Sequence, residues 1–263
     1  MNANKFLSAV DAINANNYNY GNDILYSSFN FSKGILPIPG STVDSKLSSA
    51  MSIIGKSYSA DPTRSAPKGV LQNNGTGDAF DLLANKIVAH TNYKTLYDRI
   101  NALSLKTLDY KNVDDDKKVL IDTIFCVALL NHILRNVINM TANNKNIDTE
   151  SKNTISFCSK FLHFLCPDTV FIKDSISLEN GKDIFKNLSL TGNTICYPDL
   201  EYDFDPKEIN AIKEYIDHVI RAYSVAKFLH DNSKKCTAQI ASDPQNSTYM
   251  PRLVDSIFMN YKL

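Results

Sequence analysis

The chain has 263 residues, with 28 basic and 28 acidic side chains and a formal net charge of zero. A hydrophobic share of 43%, with nine glycines and nine prolines, excludes a disordered tail, a collagen-like repeat and a linker. The charge balance argues against gripping duplex nucleic acid by charge alone, because that affinity rests on phosphate neutralisation. Arginine occurs only at Arg64, Arg99, Arg135, Arg221 and Arg252, so planar bidentate contacts to phosphate are few. The 28 asparagines and the preference for lysine over arginine fit the A-rich codons of an AT-rich bacterial or phage genome.

Cys126, Cys158, Cys166, Cys196 and Cys236 are odd in number, irregularly spaced and without a CxxC pair. That pattern gives neither a disulfide scaffold nor a zinc site, and no metal or cofactor is expected. Residues 1–10 hold one lysine and no long apolar stretch, so no signal peptide is expected. The apolar run 119–130 is interrupted by Asp122 and is too short to span a bilayer. A reduced, cytoplasmic protein without a membrane partner is the expectation; the sequence leaves the oligomeric state open.

In chain order, Phe6, Val10 and Ile13 share one face of a short first helix. The polar, aromatic segment 16–40 has no helical period. Leu47, Met51 and Ile54 predict a second helix, closed by Gly55. Residues 57–77 read as a loop punctuated by proline and glycine. Asp78 is placed to cap a helix with a Phe80, Leu83, Ile87 stripe, and a short helix over 93–103 follows. The longest helix is predicted over 114–140, with Asp114, Asp115 and Asp116 at its positive end and apolar residues on more than one face. A polar bridge over 141–146 leads to a helix that Pro167 ends. Asp205-Pro206-Lys207-Glu208 caps another helix reaching about His230, with Ile209, Ile212, Ile216, Ile220 and Tyr223 facing inward. A breaker-rich stretch over 232–248 and a last helix over 251–261 complete the chain. The reading is a single helical domain over 1–263, all-α or nearly so. Its irregular segments are 16–40, 57–77 and 232–248, and minor strand is expected only over 18–31 and 172–178.

No phosphate loop, HExxH, GxSxG or GxGxxG motif occurs. The turn Gly75-Thr76-Gly77-Asp78 reads as a helix cap before it reads as an anion site. His132, His218 and His230 have no metal-ligand spacing and read as packing residues. Asp199, Glu201, Asp203 and Asp205 lack the glycine and spacing of a calcium loop and read as a solvated acidic loop.

The stretch 157–175 carries the most chemistry. Lys160 lies among Phe161, Leu162, Phe164 and Leu165, and Asp174 follows a proline stop and a short apolar connector. Desolvation beside an apolar wall makes a lysine amine nucleophilic, and a returning carboxylate orients it or stabilises a developing cation. The structural alternative is a lysine that snorkels off the helix and an aspartate that caps the next element. His163, three residues after Lys160, shares its helix face.

The run Ser159-Lys160, Pro167 and Phe171-Ile172-x-Asp174-Ser175 resembles a segment of uncharacterised bacterial proteins described as 8-oxoguanine DNA glycosylase-like. The patch Ser57-Tyr58-Ser59 through Thr63-Arg64 is similar to a second segment of theirs, here split by Ala60-Asp61-Pro62. The two patches cover roughly a tenth of the chain. The resemblance implies the helix–hairpin–helix glycosylase fold, with Lys160 attacking the sugar C1′ and Asp174 assisting departure of the base. For a base in that pocket, Tyr58, His163, Phe164 or Tyr197 is the expected stacking group, and Arg64 or Lys68 the phosphate contact.

Sequence therefore predicts a nucleobase- or nucleotide-recognising protein with Lys160 and Asp174 as catalytic pair and Tyr58, Arg64, His163 and Phe164 as substrate contacts. Its activity would be base excision with a lyase step. The alternative is a non-catalytic binder, such as a phage counter-defence protein that sequesters a small nucleotide signal or a host protein partner, and the zero net charge moves weight toward it. A helical interaction protein without a ligand is the third reading.

Overall fold

Nine α-helices and one 3-10 turn form the regular structure of the computed structural model, with no strand among the described residues, so the chain is all-α. Those residues are 3–15, 34–43, 45–58, 60–67, 70–71, 79–144, 154–190, 202, 204–233 and 249–260. The helices are α1 (Ala3–Ala15), α2 (Ser45–Ser57), α3 (Ala79–Val88), α4 (Tyr93–Leu103), α5 (Val113–Asn143), α6 (Ile155–Leu165), α7 (Ser175–Asn187), α8 (Pro206–Asn232) and α9 (Met250–Asn260). The strand expected over 18–31, the turn over 75–78, Lys68, Tyr197, Asp199, Glu201 and Asp203 lie outside the described residues.

The core is organised around α5. The Asn112 side chain accepts hydrogen bonds from the amides of Asp114 and Asp115, and the acidic first turn meets the positive end of the helix dipole. Asp116 departs from that simple picture. It is buried and accepts from Tyr110 N at 3.0 Å and Tyr223 Oη at 2.6 Å, which ties the start of α5 to α8. Beyond it, Ile124, Val127, Leu129, Ile133 and Leu134 are fully buried against α3, α4, α6 and α8. With 31 residues, α5 is long and apolar enough to cross a membrane, longer than the run 119–130 suggests, but 78% of its most apolar window is buried by the other helices. Burial against protein accounts for its hydrophobicity.

Asp205 caps α8 with Glu208 in a reciprocal capping box, as its sequence predicts. The same residues bind the fully buried Arg135 of α5, at 2.5 Å from Asp205 and 3.5 Å from Glu208, while His132 Nδ1 lies 3.2 Å from Glu208. Of the five residues expected to face inward, Ile212, Ile216 and Tyr223 are buried, Ile220 is half-buried and Ile209 is exposed.

Two elements differ from expectation. Residues 172–178 form no strand: Asp174 starts α7, which the sequence reading did not contain. Gly55 does not close α2, which continues to Ser57. A Cβ on Gly55 would stand 3.2 Å from Asp61 Cα and 3.4 Å from the Phe80 ring, so the glycine admits the close approach of the following turn. The segment 57–77 also contains the 3-10 turn Pro62–Ser65, capped by the Asp61 side chain on Thr63 N at 2.8 Å.

The final helix, α9, is buried from Met250 to Phe258 and packs on α7, α8 and α1. It crosses α7 closely where Gly181 faces the ring of Phe258, and a Cβ there would lie 2.9 Å from a ring carbon. Asn180 Nδ2 donates to Phe258 O beside the crossing. Replacing Gly181 by Val is expected to destabilise the protein by about 2–3 kcal/mol, because the buried ring has no room to withdraw. Gly181→Ala is expected to cost less, since alanine recovers about 1 kcal/mol of helix propensity. Urea midpoints of the two variants against the parent measure both.

Candidate functional site

Between α6 and α7 residues 167–169 form a turn on Cys166 O, and the chain then runs without helix to Asp174, buried over Thr169–Ile172, with no strand beside it among the described residues. Its polar backbone groups must therefore find other partners. Side chains of α6 and α8 supply them. His163 Nδ1 donates to Val170 O at 2.8 Å, Tyr215 Oη to Phe171 O at 2.9 Å, and His218 Nε2 to Ile172 O at 2.7 Å. Lys173 N donates to Ser159 Oγ at 3.0 Å. Since a carbonyl only accepts, both imidazoles carry their proton on the nitrogen facing the connector.

This clamp delivers Asp174 opposite Lys160. Asp174 Oδ1 accepts from Ile176 N at 3.1 Å, and its amide donates to Ser177 Oγ at 2.9 Å, a capping box for α7. Its Oδ2 accepts from Lys160 Nζ at 2.7 Å. The Lys160 side chain is only 4% exposed and Asp174 is 26% exposed, so the lysine does not snorkel into bulk solvent. Burial alone would raise the Asp174 carboxyl, but the Lys160 hydrogen bond and charge and the Ile176 amide together hold it below the ordinary range.

A second ion pair stands across from the first. On α9, Arg252 Nη1 donates to Asp255 Oδ2, and both residues are buried. Asp255 Oδ1 is buried and has no hydrogen-bond partner among the described residues. Burial pushes the Asp255 carboxyl above its ordinary range despite the opposing charges of Arg252 and Lys160. Between the pairs lies Tyr58, just past the end of α2. Its ring centroid is 5.6 Å from Lys160 Nζ and 5.6 Å from Arg252 Cζ. These five residues, with Ile172 and Met259 as apolar wall, line an open cavity of about 280 Å³.

The structure thus brings Lys160, Asp174 and Tyr58 to one cavity and separates the other three predicted residues from its lining. His163 is fully buried and spends its ring on the Val170 carbonyl. Phe164 is buried behind Tyr58, with ring centroids 5.7 Å apart. Arg64 is exposed on the turn Pro62–Ser65, outside the cavity lining. Arg252 and Asp255 were missed by sequence reading. Their i, i+3 spacing is that of an ordinary surface pair, and only the burial of α9 sets them apart. Burial pushes the thiols of Cys158 and Cys166 up to about 12, and that of Cys126 is raised as well, so none of these three described cysteines is poised as a thiolate nucleophile.

The two clamp histidines make stability depend on pH. Burial lowers His163 to about 3 and His218 to about 4 from an ordinary 6.5, in each case against the raising effect of the carbonyl it binds. Below pH 6.5 the unfolded chain takes up protons that the folded chain refuses. Stability therefore falls as pH drops from 6.5 toward 4, by about 1.4 kcal/mol per pH unit for each histidine. Chemical denaturation between pH 7 and pH 4.5 is expected to show this slope, and His218→Gln is expected to remove about half of it.

No protein-family model matches this chain, and neither does any curated protein or solved structure.

Proposed function

We propose that the cavity recognises a nucleobase or nucleotide, with Lys160 and Asp174 as the chemical pair of a base-excision reaction. The observation that carries this reading is the Lys160 amine, almost wholly withdrawn from solvent, in an open cavity 2.7 Å from a carboxylate and beside an aromatic ring. An amine so placed is shielded from water yet reachable by a bound molecule, the setting in which lysine acts as a nucleophile. Tyr58 offers a face on which a base stacks. The local resemblance around Ser159-Lys160 and Asp174-Ser175 supports the same assignment, and the helix–hairpin–helix fold it implies is part of the proposal.

In that reaction Lys160 Nζ first passes a proton along its contact with Asp174. Its lone pair then forms a bond to the sugar C1′ as the bond from C1′ to the base breaks, and the base leaves with the bonding electrons and takes the proton that Asp174 had received. The carboxylate so restored at Asp174 faces the cation on the sugar. Opening of the sugar ring leaves an imine on Lys160, and borohydride reduces it to a stable amine.

Borohydride trapping on duplex DNA containing an oxidised guanine is the direct test. A covalent adduct is expected with the parent protein and none with Lys160→Ala. Asp174→Asn is expected to slow its formation by about 100-fold or more. Absence of an adduct, or one that survives Lys160→Ala, defeats the catalytic claim.

One observation favours a second reading, a non-catalytic binder. Both cations of the cavity are already paired with carboxylates, Lys160 with Asp174 and Arg252 with Asp255, so the resting site is charge-balanced. Thermal-shift measurements with linear and cyclic nucleotides beside DNA oligomers separate the two readings. Stabilisation by small nucleotides only, without trapping, selects the binder.

A further inference from the structure

We infer that the ligand meets Asp255 with an uncharged N–H donor edge of a single ring system, and that no phosphate enters the cavity. This rests on the reading of the cavity as a base-recognition site and specifies which part of a nucleotide it reads.

The argument begins with Asp255. It is 5% exposed, its Oδ2 accepts from Arg252, and its Oδ1 has no hydrogen-bond partner among the described residues. A buried acceptor without a donor is costly, and because Asp255 lines the cavity a donor that enters there is the group able to complete it. A carboxylate offers only acceptor oxygens, so the arriving group must donate. A cationic donor is disfavoured, because Arg252 and Lys160 already flank the space. An anion is disfavoured as well. A phosphate would have to approach Asp174 and Asp255 and take Lys160 from the half-buried Asp174 or Arg252 from the buried Asp255, leaving that carboxylate unpaired. What remains is a neutral N–H, such as a lactam nitrogen or an exocyclic amino group of a heterocycle.

Size and shape agree. A volume of about 280 Å³ lies at the small end of small-molecule sites and suits one ring system. A dinucleotide with its two phosphates exceeds it. The apolar wall from Ile172 and Met259 and the ring of Tyr58 suit a flat heterocycle. Asp255 thereby becomes a specificity residue that discriminates between base edges, separate from the Lys160–Asp174 pair.

Calorimetric titration of the full chain with guanosine, adenosine, cytidine and thymidine tests this. It is paired with the analogues whose base donors are all methylated: N1,N2,N2-trimethylguanosine, N6,N6-dimethyladenosine, N4,N4-dimethylcytidine and 3-methylthymidine. The nucleoside that binds is expected to lose at least tenfold in affinity when its donor is methylated, and at least tenfold when Asp255 is replaced by Asn. Inorganic phosphate at millimolar concentration is expected neither to bind nor to compete. Equal binding of the methylated analogue, or competition by phosphate, overturns the inference while leaving base recognition standing. No binding by any of the four nucleosides overturns base recognition and the inference together. Because the methylated analogues are used with the unaltered protein, the outcome does not depend on the folding of Asp255→Asn.

Discussion

A buried stretch of backbone without a strand beside it sets the geometry of this molecule. Residues 167–169 turn the chain out of α6, Thr169–Ile172 lie buried, and three successive carbonyls, those of Val170, Phe171 and Ile172, each take a donor from a side chain on α6 or α8. Leaving even one of them unmet would cost about 1–3 kcal/mol. The demand explains two fully buried, neutral histidines and a buried tyrosine in a helical core. It also fixes where the chain emerges. Lys173 is held by Ser159, one residue before Lys160, so Asp174 cannot start α7 anywhere but opposite the lysine.

Asp174 consequently serves two elements. One oxygen caps α7 and the other holds Lys160, so the helix start and the ion pair share a single side chain. Buried ion pairs add little net stability, because desolvation offsets most of the attraction. Two such pairs around one cavity are therefore poorly explained by folding alone. Asp255 is the sharper case: an all-carbon side chain at that position would leave no unpaired buried oxygen.

Eight of the nine described helices, all but α7, were legible because their 3.6-residue apolar period is local: 93–103 was placed to the residue, and the caps at Asp205-Pro206 named the start of α8. The connector was not legible. Its β-branched and aromatic residues suggested strand from Ile172 onward, and the donors that replace a neighbouring strand lie 7, 44 and 46 residues away in sequence. The hydrogen bond of the His163 ring was hidden for the same reason. Its helix face is shared with Lys160, but the carbonyl that claims its ring becomes visible only when the connector folds back. The Lys160–Asp174 contact itself was foreseeable, since a proline stop after a short helix returns the chain to its own last turns. Arg252 and Asp255 were beyond reach, because nothing local distinguishes a buried i, i+3 pair from a solvated one.

Tyr58 shows how a departure from local rules becomes part of the site. A glycine near the end of an apolar period ordinarily stops a helix, and a stop at Gly55 would turn the chain before Tyr58. Here the backbone at Asp61 comes so close to Gly55 that a Cβ would crowd it, and Ala60 N donates to Gly55 O at 3.0 Å. The glycine is consumed by packing and α2 continues to Ser57. Tyr58 is left at the cavity edge with its ring backed by Phe164 and shared between Lys160 and Arg252. The two ion pairs, one built by α6 and α7 and the other by α9, thus face a common aromatic surface from α2. A flat molecule lying on that surface meets both pairs at once, and either pair alone would give it only one polar edge.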